Sequence, residues 1–269
     1  MPTKTLSIIT INKNNAAGLE KTIESVIGQT SNDFEYIVID GASSDGSVEV
    51  IQKYADKINY LVSEPDTGVY NAMNKGIRKA QGTYCLFLNS GDWLVSPETL
   101  DNFFKETVTN TADIFYSDAI FSDNSVKYFE NIITIHYLLF HHINHQNSII
   151  KRSLFLEHSF YNENLLLCSD YEFFLSEFWK YKSKFYKVKT NICIYDINGI
   201  SSLNKELRSN EDTIVYKNIF NELSSIIIEY KYIHKTVYYD ILKNNYDSKF
   251  LSFLIKVYRK IIKIKRRGH

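Results

Sequence analysis

The sequence is poor in cysteine and has no long apolar run. Cys85, Cys168 and Cys193 are the three cysteines among 269 residues, and their wide separations fit no metal-ligand spacing. The expectation is reduced thiols in a cytoplasmic protein, with Cys85 inside a core strand. The opening MPTKTLSIIT holds too short an apolar run for a signal peptide, and no later segment approaches the roughly 20 apolar residues of a membrane span. Export by that route and a membrane-spanning architecture are therefore not expected. Net charge is also missing, since 31 basic residues balance 31 acidic ones. The balance conceals an asymmetry: residues 249–269 hold eight Lys or Arg and no acid, which leaves 23 basic against 31 acidic side chains before them. A basic tail on an acidic body points to an anionic surface rather than to the fold.

Several motifs are absent as well. The first strand-to-helix connection is Asn12-Lys13-Asn14-Asn15, with no G-x-G-x-x-G to bring backbone against a dinucleotide pyrophosphate. No G-x-x-x-x-G-K-[ST] loop is present, nor a G-x-S-x-G elbow or a Cys-His pairing. Nicotinamide and flavin enzymes, P-loop ATPases and covalent hydrolases are set aside on those grounds.

What is present is enough apolar residue, 44%, for a sizeable core. Residues 6–11 form a short apolar run suited to a buried strand, and Leu19, Ile23, Val26 and Ile27 then recur at helical spacing. The alternation repeats, with strands expected at 36–39, 60–62 and 83–88 and helices at 48–58 and 69–80. Strands alternating with helices imply βαβ units and a largely parallel sheet.

Polar residues gather where each strand ends: Asn12 after the first, Asp40 to Gly46 after the second, Ser63 to Gly68 after the third, and Asn89-Ser90-Gly91-Asp92 after the fourth. Taken singly, Asp40, Asp45 and Asp66 could be turn or helix-cap residues. Open α/β sheets bind ligands in the crevice beyond the carboxyl ends of their strands, so four clusters at one edge point to one site.

The stretches LSIITINKNN, SVIGQT, EYIVIDGASSDGS, SEPDTGVYNAMNKGI and GTYCLFLNSGDW resemble, in order and spacing, the family 2 glycosyltransferases. These are inverting enzymes of the GT-A fold, and the likeness is greatest to the branch that builds bacterial surface polysaccharides such as capsule and O-antigen. It is dense from about Leu6 to Trp93, weaker from about Asp113 to Ser202 and absent beyond. The resemblance implies an α/β GT-A fold with a mostly parallel, Rossmann-like sheet. It implies a catalytic domain over 1–203, with a nucleotide-sugar half over about 1–95 and an acceptor half over about 96–203. Residues 204–269 are left as a helical C-terminal extension.

The implied activity is transfer of a hexose or N-acetylhexosamine from a nucleoside-diphosphate sugar, UDP being preferred, to a hydroxyl of a glycan or lipid-linked saccharide. On this resemblance Asp40 matches the acid that pairs with uracil, the backbone around Thr10 and Asn12 lines the nucleoside, and Asp66 lies near the nucleotide-sugar. Asn89, Ser90 and Asp92 occupy the metal-binding acidic motif, where Asp92 would hold Mn²⁺ or Mg²⁺. Relatives usually carry two acids there and this chain keeps one. A cation in that place neutralises the departing diphosphate, while a base takes the proton of the attacking hydroxyl. Asp170, in Cys168-Ser169-Asp170-Tyr171-Glu172, matches that base, with Glu172 as the second choice; either could instead be a helix cap or a first-turn acid.

Asp118 is expected at the end of a strand in the acceptor region. His136, His141, His142 and His145 crowd one segment without a cysteine or an H-E-x-x-H pattern, and His145-Gln146 resembles an acceptor-side segment. The stretch Tyr195 to Ser201 resembles a loop that closes over the donor. Leu251, Leu254, Ile255, Tyr258, Ile261 and Ile262 form an apolar stripe amid lysines and arginines, a pattern that suits the anionic inner leaflet of a membrane. The placement expected is therefore cytoplasmic, with peripheral contact at the inner face of the membrane, and no nucleic-acid fold is recognisable. A sugar-nucleotide pyrophosphorylase and a non-catalytic glycan-binding scaffold are the competing classes; the first lacks its glycine-rich basic loop here, and the second is argued only by Ser90 and Gly91.

Overall fold

The computed structural model describes residues 5–196 and 204–243, with side chains as far as 234. Its first strands follow the alternation in the sequence: β1 (Leu6–Asn12), α1 (Ala16–Ile27), β2 (Phe34–Asp40), α2 (Ser47–Lys53), β3 (Tyr60–Ser63), α3 (Val69–Lys79) and β4 (Tyr84–Asn89). The second helix is shorter than its expected span of 48–58. It gives way to a 3-10 turn at Ala55–Lys57 because the chain must re-enter the sheet at β3, where Asn59 N–H already donates to Tyr36 O.

Then come β5 (Trp93–Leu94), α4 (Thr99–Thr107), β6 (Ile114–Tyr116), β7 (Ala119–Phe121), β8 (Val126–Lys127) and α5 (Ile135–Phe140). The chain continues through β9 (Ser148–Lys151), α6 (Arg152–Glu157), α7 (Ser169–Ser176), β10 (Phe185–Lys187), β11 (Cys193–Tyr195), α8 (Lys205–Phe220) and α9 (Ser224–Lys243). Seven strands form the main sheet in the order β10-β6-β9-β4-β1-β2-β3. β1, β2, β3 and β4 run parallel to one another, and β9 enters antiparallel between β4 and β6. A smaller sheet, β5-β11-β7-β8, stands beside it.

All seven residues of β1 are buried, as are Cys85 to Leu88 of β4, which fits central strands covered on both faces. Each large aliphatic side chain so buried is worth about 1.5–3 kcal/mol relative to exposure. Gly82 and Gly76 mark close approaches: a Cβ at Gly76 would collide with Ile9, so α3 packs directly on β1. The three cysteines are free and buried.

By compactness the chain divides into two units, Met1–Ser224 and Ser225–His269. The first includes α8, which the sequence had placed in the C-terminal extension. Among the described residues no helix is long and apolar enough to cross a membrane. The basic stripe at 249–269 lies outside the described residues.

Candidate active site

Asn12 and Asp40 end adjacent parallel strands as register partners, and Ser63 ends the next strand opposite Asp40. Their side chains therefore meet by sheet geometry alone. Asp40 is 0% exposed, and its carboxylate accepts four hydrogen bonds: Asn12 Nδ2 (2.7 Å) and Ser43 Oγ (2.6 Å) at Oδ1, Ser43 N (2.9 Å) and Ser63 Oγ (2.6 Å) at Oδ2. Burial pushes this acid up, but the bonds from Ser43, Ser63 and Asn12 outweigh it and hold the carboxyl below its ordinary range. Asp40 thus orders the loop after β2 from beneath. Asn12 Oδ1 is buried without a hydrogen-bond partner. Thr10 is buried in β1, its Oγ1 accepting from Tyr36 OH. Asp45 accepts from Ser47 N and Oγ and from Ala16 N, so it caps α2 and ties it to α1.

Asp66 approaches from the loop after β3. A Cβ at Gly41 would collide with Asp66 Oδ2, so the absence of a side chain at 41 admits this carboxylate beside Asp40's loop. Gly68 N–H holds Asp66 Oδ1 at 3.1 Å, and Lys13 Nζ stands 3.9 Å away.

The turn after β4 depends on Gly91 at φ +104, a left-handed conformation suited to glycine. Asn15 Nδ2 donates to Ser90 O at 3.0 Å, and Thr22 Oγ1 donates to Asp92 O at 2.6 Å, which fasten the turn to the start of α1. Asp92 is 4% exposed and accepts from Asp196 N (3.1 Å) and Asn89 N (3.2 Å). Burial pushes its carboxyl up to about 7, against the pull of those N–H groups and of His145.

For the cation implied by the family resemblance, the telling feature is Gly91. A Cβ there would lie 3.9 Å from Asp196 Oδ2, so Asp196 brings a carboxylate close to the place where a second acid of the motif would stand. Burial alone raises Asp92 to about 7, and a divalent cation beside it would offset that cost of ionisation. Asp92 and Asp196 are the residues that would hold it. Among the described residues no three His, Cys, Asp or Glu side chains come together as a ready-made metal centre, and the histidine segment makes none. His142 instead lies 3.3 Å from Asp212 and accepts from Arg208.

Asp170 stands in the first turn of α7, where the helix dipole favours an acid. Its Oδ2 lies 2.8 Å from His145 Nδ1, and its Oδ1 accepts from Tyr70 OH (3.0 Å) and from Tyr171 N (2.9 Å). His145 Nε2 lies 3.2 Å from Asn89 Nδ2. Asp170 is thus one imidazole away from the turn that carries Asp92. Burial opposes its charge, but His145, His142 and Tyr70 together keep the carboxyl below its ordinary value. Glu172, the second choice, accepts from Asn162 and Asn218 and touches none of these groups. Asp118 pairs with Lys187 at 2.7 Å and accepts from Phe129 N, a tie between strands and the loop after β8.

Three contributors went unread in the sequence. Tyr70 is the second residue of α3, directly behind the Asp66 loop, and its position at the start of an apolar helical stripe was the available signal. Asp196 lay in a stretch marked only as a loop over the donor; the rest of that stretch, from Ile197 to Ser201, is outside the described residues. Glu211 on α8 accepts from the N–H groups of Leu166, Leu167 and Cys168 at 2.7, 2.8 and 2.9 Å, fixing the turn that delivers Asp170. No local pattern announces that contact.

Known proteins place the chain by fold and family. The chain is 32% identical over 174 residues to a PGL/p-HBAD biosynthesis glycosyltransferase of Mycobacterium bovis, covering 62% of this chain and 67% of that one. It is 32% identical over 114 residues to a cholesterol galactosyltransferase of Borreliella burgdorferi, covering 42% and 32%. Among solved structures it resembles S. aureus TarS 1-349 in complex with UDP-GlcNAc (TM-score 0.65, 16% identity, 80% of this chain and 65% of that one). It also resembles the mannosyltransferase PcManGT of Pyrobaculum calidifontis in complex with GDP-Man and Mn²⁺ (TM-score 0.60, 14% identity, 80% and 64%). Such distant likenesses establish the mixed α/β GT-A fold. The sequence model of glycosyl transferase family 2 matches residues 7–165, more than half of the sequence, and the chain belongs to that family.

Proposed function

We propose that the protein transfers a sugar, with inversion, from a UDP-linked donor to a hydroxyl of a glycan or lipid-linked saccharide, and that Asp170 is the base. The observation that carries the reading is the continuous path Asn89–His145–Asp170–Tyr70, which joins the turn after β4 to the start of α7 within hydrogen-bond distance. A donor diphosphate beside Asp92 and an acceptor hydroxyl beside Asp170 would then face each other across one short gap.

In this reading Asp40, which the resemblance matched to the acid that pairs with uracil, has its acceptor positions filled by Asn12, Ser43 and Ser63 and holds the nucleoside loop in shape, and Asp66, in the space beside Gly41, takes over the contact to the nucleobase. A uracil N–H is a suitable donor to such an acid. Asn12 Oδ1 and Asn89 Oδ1, both buried without a partner, are open acceptors toward donor groups. A divalent cation held by Asp92 and Asp196 would supply Lewis-acid neutralisation of the diphosphate. Asp170, held ionised, takes the proton of the acceptor hydroxyl as its oxygen bonds to the anomeric carbon. The bond to the diphosphate oxygen breaks on the opposite face, and its electron pair leaves with UDP.

The catalytic domain is proposed over 1–203, with α8 bracing the loop before α7 through Glu211. A relative named for cholesterol, together with the basic residues at 249–269, favours an acceptor attached to lipid at an anionic inner membrane surface, as in bacterial surface-glycan assembly. The test is calorimetric titration with UDP, GDP, dTDP and CMP, each with and without Mn²⁺. Tight, metal-dependent binding of UDP is expected, and failure of all four nucleotides with a folded protein would overturn the reading.

A further inference from the structure

We infer that His145 is a positioning residue for the reaction: it fixes the Asp170 carboxylate for the incoming hydroxyl and links it to the diphosphate turn through Asn89. The inference rests on the proposed transfer reaction. His145 is 8% exposed, and both of its ring nitrogens are engaged. Nδ1 faces the Asp170 carboxylate, which can only accept, so Nδ1 carries a hydrogen and donates it to Oδ2, while Nε2 faces the Asn89 amide.

The ring has little freedom. His145 opens the 3-10 turn His145–Asn147, which runs straight into β9 between β4 and β6. Cys193 Sγ donates to Gln146 O, and Asn147 Nδ2 donates to Ser117 O at 2.8 Å, so the turn is held by the second sheet as well. Phe87 of β4 meets the imidazole edge-on, with ring centroids 6.4 Å apart. An apolar ring would satisfy that packing but would leave Asp170 Oδ2 without its donor.

The other carboxylate oxygen is held from the donor side. Tyr70 OH reaches Oδ1 from the first turn of α3, immediately after the loop that carries Asp66. Rotation of the Asp170 carboxylate is thereby stopped from two directions, while its side chain keeps 16% exposure for a hydroxyl to approach. The groups facing Asp170 are Tyr70 from α3, Tyr161 from the loop after α6, His142 and His145 from the segment before β9, and Cys168 ahead of it. Asp92 lies within electrostatic reach of His145. His145 leads the groups that offset the burial of Asp170, so its removal moves the carboxyl upward.

The experiment compares wild type with His145→Ala, His145→Phe and His145→Asn in metal-containing buffer. The rate of UDP release is measured with water as the acceptor and UDP-glucose, UDP-galactose or UDP-N-acetylglucosamine as the donor, whichever the wild type cleaves fastest. In this reaction water takes the acceptor's place, its proton goes to Asp170, and free sugar and UDP result. Calorimetric titration with UDP reports whether each variant keeps its fold and donor site. Expected for the Ala and Phe variants are wild-type UDP affinity, an unchanged donor KM, a kcat lower by about 100-fold, and an acid limb of the rate profile displaced to higher pH. His145→Asn, whose amide nitrogen stands near the place of Nδ1, should recover most of the kcat. An unchanged kcat in the Ala variant, or an Asn variant as slow as the Phe variant, would overturn the inference while leaving the transfer reading intact. A wild type that neither binds UDP nor releases it from any of the three donors would overturn both.

Discussion

Asp40 and Asp170 are both carboxylates held below their ordinary pKa, yet they are held by different means. Asp40 takes its partners from the loop that follows it and from residues that face it across two neighbouring parallel strands. Asp170 takes its partners from His145, 25 residues away, and Tyr70, 100 residues away. The cluster around Asp40 is built from the sheet itself, so it forms wherever the sheet does. The cluster around Asp170 borrows: it exists only when α3, the turn before β9 and α7 dock together. A cluster of the first kind tolerates local change, whereas one of the second kind loses geometry when any supporting element shifts.

The largest effect that would test this contrast is chemical. Asp170→Asn should lower transfer by about 1000-fold while leaving UDP binding as in the wild type, because the proposed role of Asp170, as the base, is exerted only as the new bond forms. Paired measurement of turnover and of UDP affinity checks it. A loss shared equally by both would mean that Asp170 serves nucleotide binding, and the contrast would fail.

Next in size is the support of the Asp170 cluster from a distance. Glu211 is 4% exposed and satisfies three backbone N–H groups ahead of α7. Glu211→Ala strips those donors of their partner, at a cost of about 3 kcal/mol. For a unit of this size that is roughly a 6–12 °C fall in Tm. Activity should fall as well, since Cys168 N–H is one of the three and Asp170 follows two residues later. Thermal unfolding and turnover of the same variant decide whether stability and activity move together, as a borrowed site requires.

These two positions also show what could be read from sequence alone. The first half was legible because alternation of strand and helix dictates that polar residues at strand ends converge, and Asn12, Asp40, Ser63 and Asp92 do so at one edge. Asp170 could be placed by resemblance, but its partners could not. No periodicity links Tyr70 to Asp170, and Glu211 lies 43 residues beyond the nearest N–H it caps. Even in the first half, the entry of Asp66 beside Gly41 depends on how two loops fold over each other, which local pattern does not encode.

A smaller effect separates the two acids of the nucleoside loop. Asp66→Ala should weaken UDP binding by about 30-fold, or 2 kcal/mol, the scale of a hydrogen bond to a charged group. Asp40→Asn should lower stability more than affinity, because all four acceptor positions of Asp40 are spent within the chain. Calorimetry and thermal unfolding of both variants give the comparison. The reverse pattern would make Asp40 the direct contact and Asp66 its support.

The smallest effect is a pH dependence in which Asp40 and Asp92 act with opposite sign. Asp40 is depressed in the fold, so its contribution is complete above the ordinary carboxyl value and is lost as pH falls through its lowered one. Asp92 is raised to about 7, chiefly by burial, so between its unfolded value near 4 and 7 the folded chain binds more protons than the unfolded chain. Stability from this group therefore declines as pH rises across that window and is level above it. Denaturant unfolding in metal-free buffer should show wild type gaining up to about 1 kcal/mol per pH unit between pH 7 and 5 relative to Asp92→Asn. Added Mn²⁺ should flatten the difference, because a cation offsets the cost of ionising a buried acid. Parallel curves for the two proteins would mean that water reaches Asp92, and the acid would then resemble an ordinary exposed carboxylate rather than the buried counterpart of Asp40.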